Sequence, residues 1–171
     1  MTGATNVVVL PLAASDSRRV FSLAGRSNTH LVAAREAIRG GGHFAQAVPL
    51  DDVLGGLPRL DFIKMDVEGH EPPALRGLAR LLARDRPGLL VEFNPECLDV
   101  QGQDPLDYLK LLFAVQPRVR ALSHAGDDET FESPERVLEF WTRRSSELAA
   151  QGALAHGTLH FDLVAARAAQ P

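Results

Sequence analysis

A chain of 171 residues, 45% apolar and 23% charged with a formal net charge of −4, has the make-up of a single soluble domain, 1–171, with its own core. Eighteen basic residues against 22 acidic ones argue against broad nucleic-acid binding and against an anionic membrane surface. The single cysteine, Cys97, excludes an internal disulfide and a Cys-rich zinc site, and a reducing cytoplasm is the expected location. No apolar run reaches the roughly 18 residues of a membrane span. The first residues, Met1 to Asn6, carry no basic side chain and Pro11 interrupts the apolar stretch that follows, so no signal peptide is expected.

In chain order, Val7-Val8-Val9-Leu10 reads as a short buried strand, and Ser15-Asp16-Ser17 as the turn after it. Val20-Phe21-Ser22-Leu23 is a weaker strand. Between Asn28 and Gly42 the spacing of Leu31, Ala34 and Ile38 fits a helix stopped by Gly40-Gly41-Gly42, but a long loop fits as well. Ala47-Val48-Pro49-Leu50 is extended and leads into a helical turn at Asp51-Asp52-Val53-Leu54. Residues 61–67 form the next strand.

Pro72-Pro73 opens a helix, since the first turn has no use for the N–H that proline lacks. Leu75, Leu78 and Leu82 make its apolar face, and Arg76, Arg80 and Arg84 a solvated stripe. Pro87-Gly88 breaks the chain before the apolar strand Leu89-Leu90-Val91. Asp104-Pro105 caps a helix that turns Leu106, Leu109 and Phe113 inward. Residues 119–122 form a strand, Ser133-Pro134-Glu135 caps a helix carrying Val137, Leu138, Trp141 and Leu148, and residues 159–164 close the chain as a strand. Alternating strands and helices give an α/β fold with a mostly parallel sheet and an antiparallel edge near the C-terminus.

The chemistry concentrates in Asp61-Phe62-Ile63-Lys64-Met65-Asp66-Val67-Glu68-Gly69-His70-Glu71. Strand pleating puts Ile63, Met65 and Val67 on one face and Lys64, Asp66 and Glu68 on the other. Three charges on one face of a parallel strand need a reason, because such strands are usually apolar on both faces. Ligands of open α/β sheets bind at the carboxyl ends of the strands, where Asp66 and Glu68 stand. The pattern fits a polar cleft floor with Asp66 or Glu68 orienting a substrate or taking a proton, and it fits equally a Lys64–Asp66 or Lys64–Glu68 ion pair without chemistry. Glu92, ending the next strand, is either a second wall of that cleft, beside Asp66 if the strands pair in parallel, or a cap of the following turn. Asp66, Glu68 and Glu71 could hold a divalent ion, although the spacing matches no specific metal motif and no metal is expected.

These residues resemble a known family. Leu50-Asp51-Asp52-Val53-Leu54, the stretch from Asp61 to Glu71, Leu75-Arg76-Gly77 and Leu90-Val91-Glu92 are similar to the C-terminal signature of FkbM-type methyltransferases. Asn6-Val7-Val8-Val9 through Ala13-Ala14-Ser15-Asp16 resembles the family's third strand and its turn, and Phe161-Asp162-Leu163-Val164 its closing strand. The resemblance implies a Rossmann-like class I methyltransferase fold that uses S-adenosylmethionine, with O-methylation of a sugar or natural-product hydroxyl, a small-molecule acceptor, as the activity. It implies catalytic roles for Asp66, Glu68 and His70, cofactor contacts from Ala14, Asp16 and Asp66, and acceptor contacts from Glu71 and Glu92.

The family's first strand and its Asp-x-Gly-Ala-Asn-x-Gly loop have no counterpart in these residues, so the domain is expected to be truncated at its N-terminus. Strands one and two of a 3-2-1-4-5 order would lie between residues 7–10 and residues 61–67. Without them the two flanking strands either pair directly or stand apart, and standing apart would leave residues 61–67 as an apolar edge that invites self-association. A non-catalytic binding or dimerisation module and a magnesium-dependent hydrolase are the alternatives to methyl transfer.

Overall fold

The computed structural model describes residues 5–24, 30–33, 43–122, 128–154 and 159–165. Its strands are β1 (Ala13–Ala14), β2 (Arg19–Ala24), β3 (His30–Ala33), β4 (His43–Val48), β5 (Phe62–Met65), β6 (Gly88–Phe93), β7 (Val119–Leu122), β8 (Glu129–Phe131) and β9 (Phe161–Ala165). The helices are α1 (Leu50–Leu54), α2 (Glu71–Arg76), α3 (Ala79–Asp85), α4 (Pro95–Val100), α5 (Pro105–Val115) and α6 (Pro134–Ala150). No helix among them is long and apolar enough to cross a membrane.

The strands form two sheets rather than one. The smaller has the order β1-β4-β2-β3 and the larger β5-β6-β9-β7-β8. The expectation of a mostly parallel sheet is corrected here: only β1–β4 and β5–β6 pair in parallel, and the remaining described pairings are antiparallel. The physical reason is local connectivity. Neighbouring strands β2–β3 and β7–β8 pair directly, without the crossover that parallel pairing requires. The antiparallel closing strand β9 lies between β6 and β7 rather than at the edge, which gives it ladder partners on both sides.

Alternation along the large sheet places the core. Met65, Leu89, Val91, Phe93, Val119, Ala121, Phe131, Phe161, Leu163 and Ala165 are buried on one face. They join Leu75, Leu78, Leu81 and Leu82 of the α2–α3 segment, Leu98, and Tyr108, Leu109 and Leu112 of α5 in one cluster with Val137 and Phe140 of α6. Tilted and edge-on ring contacts run through it, Phe93 to Phe161 at 5.5 Å, Phe161 to Phe140 at 5.6 Å and Phe140 to Phe131 at 5.3 Å between centroids. The opposite face, with Lys64, Leu90, Glu92, Asp162, Val164, Arg120 and Thr130, is half-buried or exposed.

Residues 7–10 are corrected from a buried strand to an extended segment outside both sheets, with Val8 83% and Val9 82% exposed. Composition confers strand propensity, but no described strand stands beside this segment to pair with it. Among the described strands, β5 correspondingly has a neighbour on one side only. The two therefore stand apart, and β5 is an edge with Phe62 57% exposed. That position leaves the one charged side chain of β5, Lys64, in solvent, where it donates to Asp66 at 3.1 Å.

The single helix expected after Pro72-Pro73 is two, broken at Gly77 and Leu78. A Cβ on Gly77 would stand 1.9 Å from the carbonyl oxygen of Ser15, so the break occurs where the turn of the small sheet seats against the helix. The new N-terminus is capped from α1, with Asp51 Oδ2 accepting from the Arg80 amide at 2.8 Å and Oδ1 from that of Leu81 at 2.9 Å. Asp104 caps α5 as its type suggests, accepting from the Asp107 amide at 2.9 Å. Ser133 instead precedes Pro134 in extended form with no side-chain cap bond. Residues 34–42, which carry most of the ambiguous helix-or-loop stretch, lie outside the described residues, while His30–Ala33 is strand.

Candidate functional site

The site grows out of the chain between β5 and α2. After Asp66 and Val67 the backbone enters the left-handed region twice, at Glu68 (φ 53°) and Gly69 (φ 89°). The second of these admits no side chain, because a Cβ on Gly69 would lie 2.1 Å from the carbonyl oxygen of Cys97. The turn is closed by Glu71, whose Oε1 accepts from the Val67 amide at 3.0 Å. Glu71 is only 2% exposed; burial raises its pKa, while backbone N–H groups of Val67, Glu71 itself and Gly69 act the other way. Expected to contact an acceptor, this carboxylate is turned into the protein and holds the loop.

Parallel pairing of β5 and β6, with Met65 opposite Val91, brings the Asp66 end beside Glu92. Glu92 Oε2 is buried and has no hydrogen-bond partner among the described residues. Burial pushes the Glu92 pKa up to about 7; Asp66 adds to the rise, His160 opposes it, and Glu68 and Glu71 add smaller contributions. Glu68 accepts from the Cys97 thiol at 3.6 Å, and burial together with Glu68 drives that thiol up to about 12, which disfavours the nucleophilic thiolate.

His70 turns to the other side. It is buried, with Nε2 3.2 Å from Ser15 Oγ and its ring edge-on to Phe21 at 5.4 Å. Burial lowers its pKa, so the ring is neutral near pH 7. Beside it Asp16 accepts from Arg76 Nε at 3.2 Å, and Ala14 is half-buried in β1. The residues expected to share one site thus fall into two groups. Asp66, Glu68 and Glu92 stand at the strand ends of the large sheet, whereas Ala14, Asp16 and His70 belong to the seam with the small sheet. Sequence reasoning missed Ser15 as the partner of His70 and Cys97 as the partner of Glu68. The turn at Ser15 was visible, but its long-range contact carries no local signal.

Among the described residues no three His, Cys, Asp or Glu side chains converge on a position that could hold a metal ion. Glu71, one of the three carboxylates considered for magnesium, is engaged by the backbone.

Residues 4–127 match the methyltransferase FkbM domain. The chain belongs to the FkbM methyltransferase family. No curated protein and no solved structure matches it. The FkbM match covers the acidic strand ends and the seam, and leaves α6 and β9 outside it. Domains of this family use S-adenosylmethionine, whose sulfonium and ammonium groups are cationic. A cluster of carboxylates that includes one buried, unpartnered oxygen has the charge to receive a cation, so the strand-end residues fit that part of the cofactor. Asp66, the exposed member of that group, is the residue that would face it.

Proposed function

We propose that this FkbM domain serves S-adenosylmethionine-dependent O-methylation of a small-molecule hydroxyl, of the sugar or natural-product class, with Asp66 and Glu92 as its working carboxylates. The observation that carries the reading is the placement of these two acids side by side at the carboxyl ends of parallel strands, where α/β sheets bind ligands. When bound, the cofactor supplies an electrophilic methyl group. Glu92 accepts the proton of the acceptor hydroxyl as that oxygen becomes a nucleophile, and a carboxyl that titrates near 7 suits the task. Asp66, half-exposed and paired with the exposed Lys64 side chain, orients the hydroxyl. Glu68, Glu71 and Gly69 hold the turn that aims Asp66.

The test is transfer of label from S-adenosylmethionine to a panel of sugar and polyketide hydroxyls, with the domain completed by a family cofactor loop. Asp66→Asn and Glu92→Gln are each expected to cut turnover at least about tenfold, roughly 1.4 kcal/mol in the barrier, with the fold intact. Undiminished turnover accompanied by lost stability would make both residues structural and sink the assignment. The 171 residues contain no glycine-rich cofactor loop, so by themselves they are expected to bind S-adenosylmethionine weakly or not at all. Micromolar affinity in titration calorimetry would mean that other residues build the cofactor site.

A further inference from the structure

Two features of the molecule are complementary and both are unused. One is the open edge of β5, four residues long, which pairs with β6 on one side and with no described strand on the other. The other is the segment Val7-Val8-Val9-Leu10, also four residues long, extended, apolar throughout, and exposed at every position. An extended apolar segment outside any ladder, on a chain with a free strand edge, is the pairing that β-strand addition exploits.

Of the three other described edges, β1, β3 and β8, two are shorter than β5. Strand β1 is two residues long, and β8 is three with polar Glu129 and Thr130 exposed and its flank crossed by the Arg118–Glu132 and Arg143–Glu129 ion pairs. On β5 the face toward the core presents Ile63 and Met65, and a neighbouring strand would extend that apolar layer. The outer face presents Phe62, which a neighbour would cover. Because residues 7–10 are apolar in both alternating sets, a donor strand buries apolar surface in either register of its pleat. The only charge on β5, Lys64, is engaged by Asp66.

We propose that two copies of this chain associate reciprocally, residues 7–10 of each adding a strand to the β5 edge of the other. A reciprocal exchange closes on itself as a two-fold dimer and leaves neither donor nor acceptor exposed. The association is independent of methyl transfer and rests on the two unpaired elements alone.

The full 171-residue chain is examined by sedimentation velocity over a concentration series, beside Val8→Pro and Val9→Lys. Val8 and Val9 are 83% and 82% exposed, so neither substitution threatens the fold of one copy. Proline removes a ladder donor and lysine puts a charge where the pleat needs an apolar residue. The wild-type chain is expected to sediment as a dimer, and each variant to weaken the dimer at least about tenfold in Kd, with an unchanged thermal midpoint for the isolated monomer. Four results overturn the proposal. The wild-type chain stays monomeric at every concentration. The dimer persists unchanged in both variants. The wild-type chain is a monomer whose thermal midpoint falls in Val8→Pro, which places the strand in its own sheet. Or the wild-type chain forms an open series of larger species, which shows donation without reciprocity.

Discussion

The two sheets are held by different means. The large sheet buries a continuous apolar face against α2, α3, α5 and α6, and its order follows from that burial. The small sheet leaves Val20 and Phe44 exposed and contributes little to the core beyond Ala47 and Val48. It is fastened by specific contacts instead: Ser15 to His70, Asp16 to Arg76, Arg18 to Asp52, and the backbone of Ser15 on Gly77. A core built by area tolerates single losses in proportion to the area lost, while a seam built from a few contacts fails where any one of them fails.

The largest effect is expected in the large sheet. Leu82→Ala should cost about 2 to 5 kcal/mol in denaturant unfolding, the range for a buried leucine. A smaller cost there, equal to that of a change in the small sheet, would break the comparison. Next comes Gly77→Ala, where the added methyl must displace the Ser15 carbonyl. It should cost about 1 to 3 kcal/mol, and hydrogen exchange should show the loss at the amides of β2 and β4 while those of β6 and β9 keep their protection. Uniform loss across both sheets would mean that they unfold as one unit.

Asp51→Ala, which removes a helix cap supplied from outside the helix, should cost about 1 to 2 kcal/mol. Arg80→Ala should stay within about 0.5 kcal/mol, because only its backbone amide is needed by the cap and its exposed side-chain ion pairs carry little. Equal effects of the two would show that the ion pair, not the cap, ties α1 to α3.

The pH dependence has opposite signs at the two places. His70, at the seam, has a folded pKa below its ordinary 6.5, so the unfolded chain takes up the proton first. Its contribution to stability is full above that value and is lost as the pH falls below it. Glu92 has a folded pKa of about 7 against an ordinary 4.5, so the folded chain keeps its proton through that window. Its contribution is full below 4.5 and is lost as the pH rises toward about 7. Glu92→Gln should therefore raise stability near about pH 8 by about 1 kcal/mol, less than the shift alone implies because the group is partly solvated, even as it removes the proposed base. Thermal midpoints across pH for wild type, Glu92→Gln and His70→Asn separate the two slopes.

The strand β5, the proline-led helix start, the strand β6 and the adjacency of Asp66 to Glu92 were legible because each rests on local pattern or on a pairing the pattern forces. The break at Gly77 was not, since it depends on the carbonyl of Ser15, which is far away in sequence. The surroundings of Lys64 were not legible for a similar reason: alternation tells which residues share a face, but whether that face meets a neighbour is settled by where the strand lies in the sheet. Residues 7–10 show the same limit, being strand-like in composition and without a strand beside them. His70 lay in the right stretch, but the left-handed turn at Glu68 and Gly69 sends it toward the seam and away from Asp66.

That turn has a consequence for which substitutions the chain accepts. The backbone at position 68 asks for a residue that tolerates positive φ, so a library selected for folding should return asparagine and aspartate there as well as glutamate. Position 69 asks for positive φ and for the absence of any atom beyond Cα, since the Cys97 carbonyl already occupies that space. A library at 69 should return glycine alone, whatever reaction is used for selection. Gly69 is thus a record of how closely the turn after β5 passes the backbone of α4.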